Sequence, residues 1–277
     1  MTLTWYALGT LASAQLPGVA VDPHMVVLTP RNPNGRIVVF NPRATAAEFT
    51  VHLRFGTVTT DTGGQAVVRM ADDTAPQPAI HENASAWITP YPTKFILNPG
   101  ASQVVRLTAT PPRTVAIGEY WSRVVVRARE LVPPLSPRNI TDSSVRIGLS
   151  LETSTVIPLF YRVGDLSTGV TIDSLSATRD RDTLAIRATL TRTGTAAYLG
   201  VAQLTVNDSI GRPIATASKR LAIYHTNHPR WTIAIPNSTR AQPHHVTLVL
   251  TTNRPDTPKG TIIRASAVAR TQTIPSS

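Results

Sequence analysis

The sequence predicts an all-β chain organised as two sandwich domains. Three observations carry that prediction. No stretch shows the 3.6-residue apolar period of an amphipathic helix. Val, Ile and Thr recur in short runs punctuated by turn residues, among them 23 prolines and 15 glycines. The length, 277 residues, suits two domains of ordinary size, each able to bury its own core.

Seven strand candidates occupy the first part of the chain: Met25 to Leu28, Arg36 to Phe40, Glu48 to Phe55, Ala86 to Ile88, Lys94 to Ala109 with an internal Asn98-Pro99-Gly100 turn, Glu119 to Arg129, and Val145 to Tyr161. Seven short strands with turn signals between them form the pattern of an immunoglobulin-like sandwich. Thr57 to Asn83 is polar, with Gly63-Gly64, Asp72-Asp73 and prolines at 76 and 78, and reads as a long loop. Leu131 to Asp142, with Pro133-Pro134 and Pro137, reads as a second loop.

The last of these strands has an unusual pattern. Val145, Ile147, Leu149 and Leu151 fall at every second position, so in a strand they share one face. Pro158 follows them, and proline is confined to strand starts, bulges and sheet edges because it cannot donate to a ladder. The segment therefore reads either as an ordinary core strand or as an edge strand offering an apolar row to another chain.

Val163 to Ser167 reads as a short linker containing Gly164. Beyond it lie further strand candidates: Val170 to Leu175, Thr183 to Thr191, Leu199 to Val206, Ile214 to Ile223, Trp231 to Ile235, His245 to Thr251 and Thr261 to Ala269. These form a second sandwich. The expected organisation is a tail over 1–19, a first domain over 20–163 and a second over 164–277. Leu3 to Ala12 is apolar, and Ala12-Ser13-Ala14 fits a small-x-small cleavage site, although no basic region precedes it. The tail reads either as a signal-peptide remnant or as a disordered apolar segment. Its apolar run is too short to span a bilayer as a helix.

The formal net charge of +11 raises the question of a nucleic-acid partner. The arginines are scattered singly along strand candidates (Arg106, Arg123, Arg127, Arg146, Arg187) with no dense basic run and no aromatic recognition motif. The charge reads as a solvated surface, and no nucleic acid is expected. Cysteine is absent, which excludes disulfides and thiolate metal sites. There is no Gly-x-Ser-x-Gly elbow, dinucleotide fingerprint or P-loop. His225 with His228, and His244 with His245, lack a third ligand in a fixed motif and read as loop histidines. Four Asn-x-Ser/Thr sequons begin at Asn83, Asn139, Asn207 and Asn237, and would matter only in a glycosylating host. No enzyme activity, cofactor or metal is expected.

Four landmarks then occur in order: Asn41-Pro42 after an apolar strand; Phe95 to Leu107 with its Asn-Pro-Gly turn; Gly118-Glu119-Tyr120-Trp121-Ser122-Arg123; and Ile157-Pro158-Leu159-Phe160-Tyr161-Arg162. Over residues 20 to 163 the chain resembles the PapD-like periplasmic pilus chaperones. The resemblance implies two immunoglobulin-like sandwiches at an angle, with a cleft between them. It implies a periplasmic, non-enzymatic chaperone that caps a pilus-like or other surface subunit by lending it an edge strand. Val145, Ile147, Leu149 and Leu151 stand where the family places its inserted side chains. Self-association through the same edge is a further expected use. A secreted structural or adhesive sandwich binding through its loops is the alternative reading.

The resemblance is incomplete. The family holds the subunit's terminal carboxylate with two cleft cations, and their positions fall here on Met25 and Val156, neither of which can pair with a carboxylate. Arg31 and Arg106 are the candidate substitutes. Glu119 and Arg162 occupy the places of an acid and an arginine that join strands near the domain boundary, and an interdomain ion pair between them is expected. The second domain follows the family less well, and no site is assigned there.

Overall fold

The computed structural model describes residues 18–71, 81–131, 152–235, 242–258 and 260–275. Among them the chain is almost entirely strand, with one 3-10 turn at Ser85–Trp87.

The first sandwich contains β1 (Ala20–Asp22), β2 (Val26–Leu28), β3 (Asn34–Phe40), β4 (Ala47–Arg54), β5 (Gly56–Thr60), β6 (Ala66–Met70), β7 (Ile88–Tyr91), β8 (Lys94–Leu97), β9 (Ser102–Ala109), β10 (Gly118–Glu130) and β11 (Glu152–Val163). One sheet runs β1-β3-β9-β7 and the other β2-β11-β10-β4-β8. The period-2 alternation decides which side chains enter the space between them. Ile37 and Val39, Phe49 and Val51, and Val105 and Leu107 point inward from their strands. Burying such a side chain contributes about 1.5–3 kcal/mol.

Two of the sequence landmarks meet at one corner of this sandwich. Asn41 is fully buried, and its Nδ2 donates to Thr45 O and Leu97 O, each at 3.0 Å. Its carbonyl accepts from Gly100 N at 2.9 Å, where the positive φ of 71° suits the glycine of the Asn-Pro-Gly turn. The side chain thus supplies the hydrogen bonds of two turns that could not otherwise be satisfied away from water.

β10 is buried on both faces. Tyr120, Val124, Val126 and Ala128 enter the core, while Glu119, Trp121 and Arg123 on the opposite face are also buried. An arginine and a glutamate on the covered face of a central strand require partners from a second layer. The second sandwich supplies it.

That sandwich contains β12 (Thr168–Asp180), β13 (Thr183–Gly194), β14 (Tyr198–Asn207), β15 (Pro213–Ile223), β16 (Thr226–Asn227), β17 (Arg230–Ala234), β18 (His245–Thr251) and β19 (Val268–Thr273). One sheet runs β12-β13-β16, with β17 also paired to β13, and the other runs β15-β14-β18-β19. Leu184, Ile186, Leu204, Val206, Leu248 and Leu250 fill the space between them.

The structure differs from the sequence reading in four places. Ala86 and Trp87, which read as the start of a strand, lie in the 3-10 turn Ser85–Trp87, and the strand begins at Ile88. The expected loop from Thr57 opens with a hairpin, β5 pairing β6 from Gly56↔Met70 to Thr60↔Ala66. Its Thr and Val residues favour extended backbone despite their polarity, and Asp61 accepts at Oδ1 from Gln65 N at 2.8 Å to close the turn. The final strand lies at Val268–Thr273 rather than 261 to 269. Ile262, which reads as strand core, instead packs against the cluster between the two sandwiches. Val19, assigned to the tail, is buried in the first core. The rest of the tail, residues 1–17, and most of the second loop lie outside the described residues.

Candidate functional site

Two features of the first sandwich could act on a partner: the outer edge of β11 and the junction with the second sandwich. β11 pairs with β10 over its whole length, from Glu152↔Arg129 to Val163↔Gly118. On its other side the parallel strand β2 reaches only Leu159, Phe160 and Tyr161. Among the described residues, Glu152 to Pro158 therefore has no ladder partner on its outer edge. Side-chain ties hold this stretch, Thr155 Oγ1 donating to Val19 O at 2.8 Å and Arg43 Nη2 donating to Thr153 Oγ1. Pro158 stands immediately before the β2 pairing begins, at a position where a missing N–H leaves no broken ladder. Val145, Ile147, Leu149 and Leu151 lie outside the described residues.

The junction follows from the alternation of β10 and β11. Trp121 and Phe160, on the faces opposite the first core, pack with Met25 and Phe55 against Leu199 and Tyr224 of the second sandwich. The Trp121 and Tyr224 rings meet edge to face with centroids 4.7 Å apart, a favoured aromatic geometry. Arg123 donates from Nε to Gly56 O at 2.9 Å and from Nη2 to the Tyr224 hydroxyl at 2.7 Å. Burial pushes the Tyr224 phenol up to about 12.

Glu119 and Arg162 face each other across β10 and β11, with Arg162 Nε donating to Glu119 Oε2 at 2.8 Å. The other carboxylate oxygen accepts from Trp121 Nε1 and from the backbone N of Ala197 in the second sandwich, each at 3.0 Å. Arg162 also reaches across, donating from Nη1 to Thr261 O at 2.6 Å. The Glu119 side chain is fully buried and that of Arg162 is 11% exposed, so solvent screens this pair little. A buried charge pair is tolerated when its remaining hydrogen-bonding capacity is satisfied, as that of the carboxylate is here.

A second attachment lies at the hairpin. Gly64 O at its tip accepts from Arg230 N at 3.2 Å, and Thr60 Oγ1 accepts from His228 N at 2.9 Å. Lys219 Nζ donates to Gln65 Oε1 at 3.1 Å. The two sandwiches are therefore joined both by the aromatic cluster and by this strap. The polarity of this stretch hides the strap in the sequence, although Asp61-Thr62-Gly63-Gly64 between β-branched runs is a hairpin signal.

The remaining candidates separate. Arg31 is exposed and lines a cleft of about 480 Å³ together with Arg162, Asp165 and Ile263. Arg106 lies on the outer face of the other sheet, opposite Arg36 and Tyr91, and is not brought to Arg31. Met25 belongs to the junction cluster, and Val156 pairs with Val125 in the ladder. His225 lies edge-on to Trp121, and His228 Nδ1 is 3.3 Å from Thr189 Oγ1. Among the described residues no group of three or more His, Asp or Glu side chains could hold a metal ion.

No protein-family model matches this chain and no curated protein does. Solved structures do. A chain of the Salmonella enterica SafA pilin–SafB chaperone complex is similar over 93% of this chain and 98% of its own, with 15% identity and a TM-score of 0.44. The YadV chaperone is similar over 92% of this chain and 98% of its own, with 14% identity and a TM-score of 0.45. A chain of the CsuC–CsuE chaperone–tip adhesion subunit complex of Acinetobacter baumannii is similar over 92% of this chain and 97% of its own, with 14% identity and a TM-score of 0.40. At these values no residue's role is carried from them to this chain.

Proposed function

We propose that this protein is a periplasmic, non-enzymatic assembly chaperone that caps a pilus-like or other surface subunit by lending it the strand running into β11. The observation that carries the reading is the half-open edge of β11, which among the described residues has no ladder partner on its outer side from Glu152 until β2 joins at Leu159. An unpaired edge presents main-chain donors and acceptors to an incoming strand. Strand addition draws affinity from those groups and specificity from alternate side chains. The row Val145, Ile147, Leu149 and Leu151 supplies alternate side chains with the parity of Ile157, Leu159 and Tyr161, which face the apolar interior.

The working units of this proposal are the domains 20–163 and 164–277, held at a set angle by Glu119 and Arg162. The cation for a subunit carboxylate is Arg31, whose cleft adjoins Arg162. Arg106, on an outer sheet face, takes no part. In the absence of a client, the same edge is available for self-association.

Native purification of the tagged protein from its own cell envelope, wild type against Leu149→Arg, tests the reading. A small β-rich subunit retained by wild type and lost from the variant is the expected result. Retention by both, or by neither, would overturn it.

A further inference from the structure

We infer that the second sandwich carries a binding groove for a tetrahedral oxyanion of the phosphate or sulfate type, lying beneath the tip of the β5–β6 hairpin. The groove goes beyond the chaperone reading and stands independently of it. Two cross-strand rows make its floor. Arg187 on β13 is flanked by Ser176 on β12 and Arg230 on β17, and Thr189 on β13 lies opposite Ser174 with His228 beside it. Asp61, Thr62 and Gly64 of the hairpin form one wall, and the cavity measures about 510 Å³.

The arrangement is costly without a ligand. Arg187 and Arg230 are directly opposed on adjacent strands, and like charges so placed repel. Neither guanidinium has an acidic partner among the described residues. Among the described residues the buried Arg230 Nε has no hydrogen-bond acceptor, a position in which a charged donor is expensive to leave unmet. The acid in the groove's lining, Asp61, accepts at Oδ1 from Gln65 N at 2.8 Å to hold the hairpin turn.

An anion seated between the two arginines would turn repulsion into two charge-assisted interactions. The hydroxyls of Ser174 and Ser176 on β12 and of Thr189 on β13 line the groove, the first donating to the last at 2.9 Å, and with the two guanidinium groups they suit an acceptor with oxygens in several directions better than a planar carboxylate. The ligand would also touch both the hairpin of the first sandwich and the sheet of the second, and so brace the strap between them.

Calorimetric titration of the whole protein with inorganic phosphate, at constant ionic strength in chloride and with acetate in parallel, tests the site. Saturable phosphate binding is expected, weakened roughly tenfold or more by Arg187→Gln. Arg187 is exposed and opposed to Arg230, so its replacement should not lower the melting temperature. Ser176→Ala, a gentler change, should weaken binding by a smaller factor. Binding of glycerol phosphate more tightly than inorganic phosphate would assign the site to an ester, and weaker binding would assign it to the free ion; each supports the groove. Absence of saturable phosphate binding, equal binding by Arg187→Gln, or acetate binding as tightly as phosphate would overturn the proposal.

Discussion

Arg123 and Tyr224 join the two sandwiches through a buried hydrogen bond, Nη2 to hydroxyl at 2.7 Å, with the guanidinium carbon 5.1 Å from the Tyr224 ring centroid. Tyr224→Phe keeps the ring in the aromatic cluster but leaves a buried guanidinium N–H without its acceptor. The expected loss is about 1–3 kcal/mol of unfolding free energy. Urea titration of Tyr224→Phe, Arg123→Met and the double variant checks it, because the double change should cost less than the sum of the single ones.

The Glu119–Arg162 pair gives a larger effect. Glu119→Gln sets an amide against Arg162 while removing the charge, and Arg162→Ala strands a fully buried carboxylate. Breaking a buried pair from one side costs about 3–5 kcal/mol. Both variants should also broaden the small-angle scattering profile through a looser domain orientation. A profile identical to wild type would remove the pair from any role in setting the angle.

At the strap, Gly64 has a φ of +74°, and an added Cβ would lie 2.4 Å from Arg230 Cβ and 2.6 Å from its backbone N. Gly64→Ala combines a left-handed backbone penalty with a clash against main chain, and should destabilise by about 1–3 kcal/mol. The loss should be local. Amides of residues 56–70 should exchange faster in the variant while those of β18 keep their wild-type rates.

Alkaline pH probes two buried phenols. Burial pushes both Tyr198 and Tyr224 up to about 12 from the usual 10.0. A raised folded value means that the unfolded chain loses its proton first. Stability is therefore full below pH 10 and falls as pH rises from about 10 toward 12, by up to one proton's worth of slope per tyrosine. Denaturation at stepped pH should show a shallower fall in Tyr198→Phe and in Tyr224→Phe. The Tyr198 hydroxyl is buried without a partner among the described residues, so Tyr198→Phe should also stabilise the protein at neutral pH by about 1 kcal/mol.

The strands were legible because most bury one face only. In β4 and β9 the alternation in sequence is the alternation in burial. β10 was legible as a strand but not as an interface, since Glu119 and Arg123 in an alternating run look like residues facing water. Covering them requires a second domain that no local pattern reveals. Glu119 and Arg162 were named through family resemblance, whereas Arg123 and Tyr224, about a hundred residues apart, had no local signal to link them. The β5–β6 hairpin is hidden in the sequence because its polarity reads as loop, although the β-branched run and the Gly-Gly turn favour a hairpin. Ile262 reads as a strand residue because it is apolar, but the packing that uses it lies between the domains.

The most direct measurement of the central claim is site-specific photocrosslinking in the native cell envelope. A photoreactive residue at Leu149, Glu152 or Ser154 reports on the β11 edge and its approach, and one at Thr216, on the edge strand β15 of the second sandwich, serves as control. If β11 receives a client strand, adducts with one small β-rich protein form from the first three positions and not from Thr216. Adducts from none of the three, or equally from Thr216, would contradict strand lending.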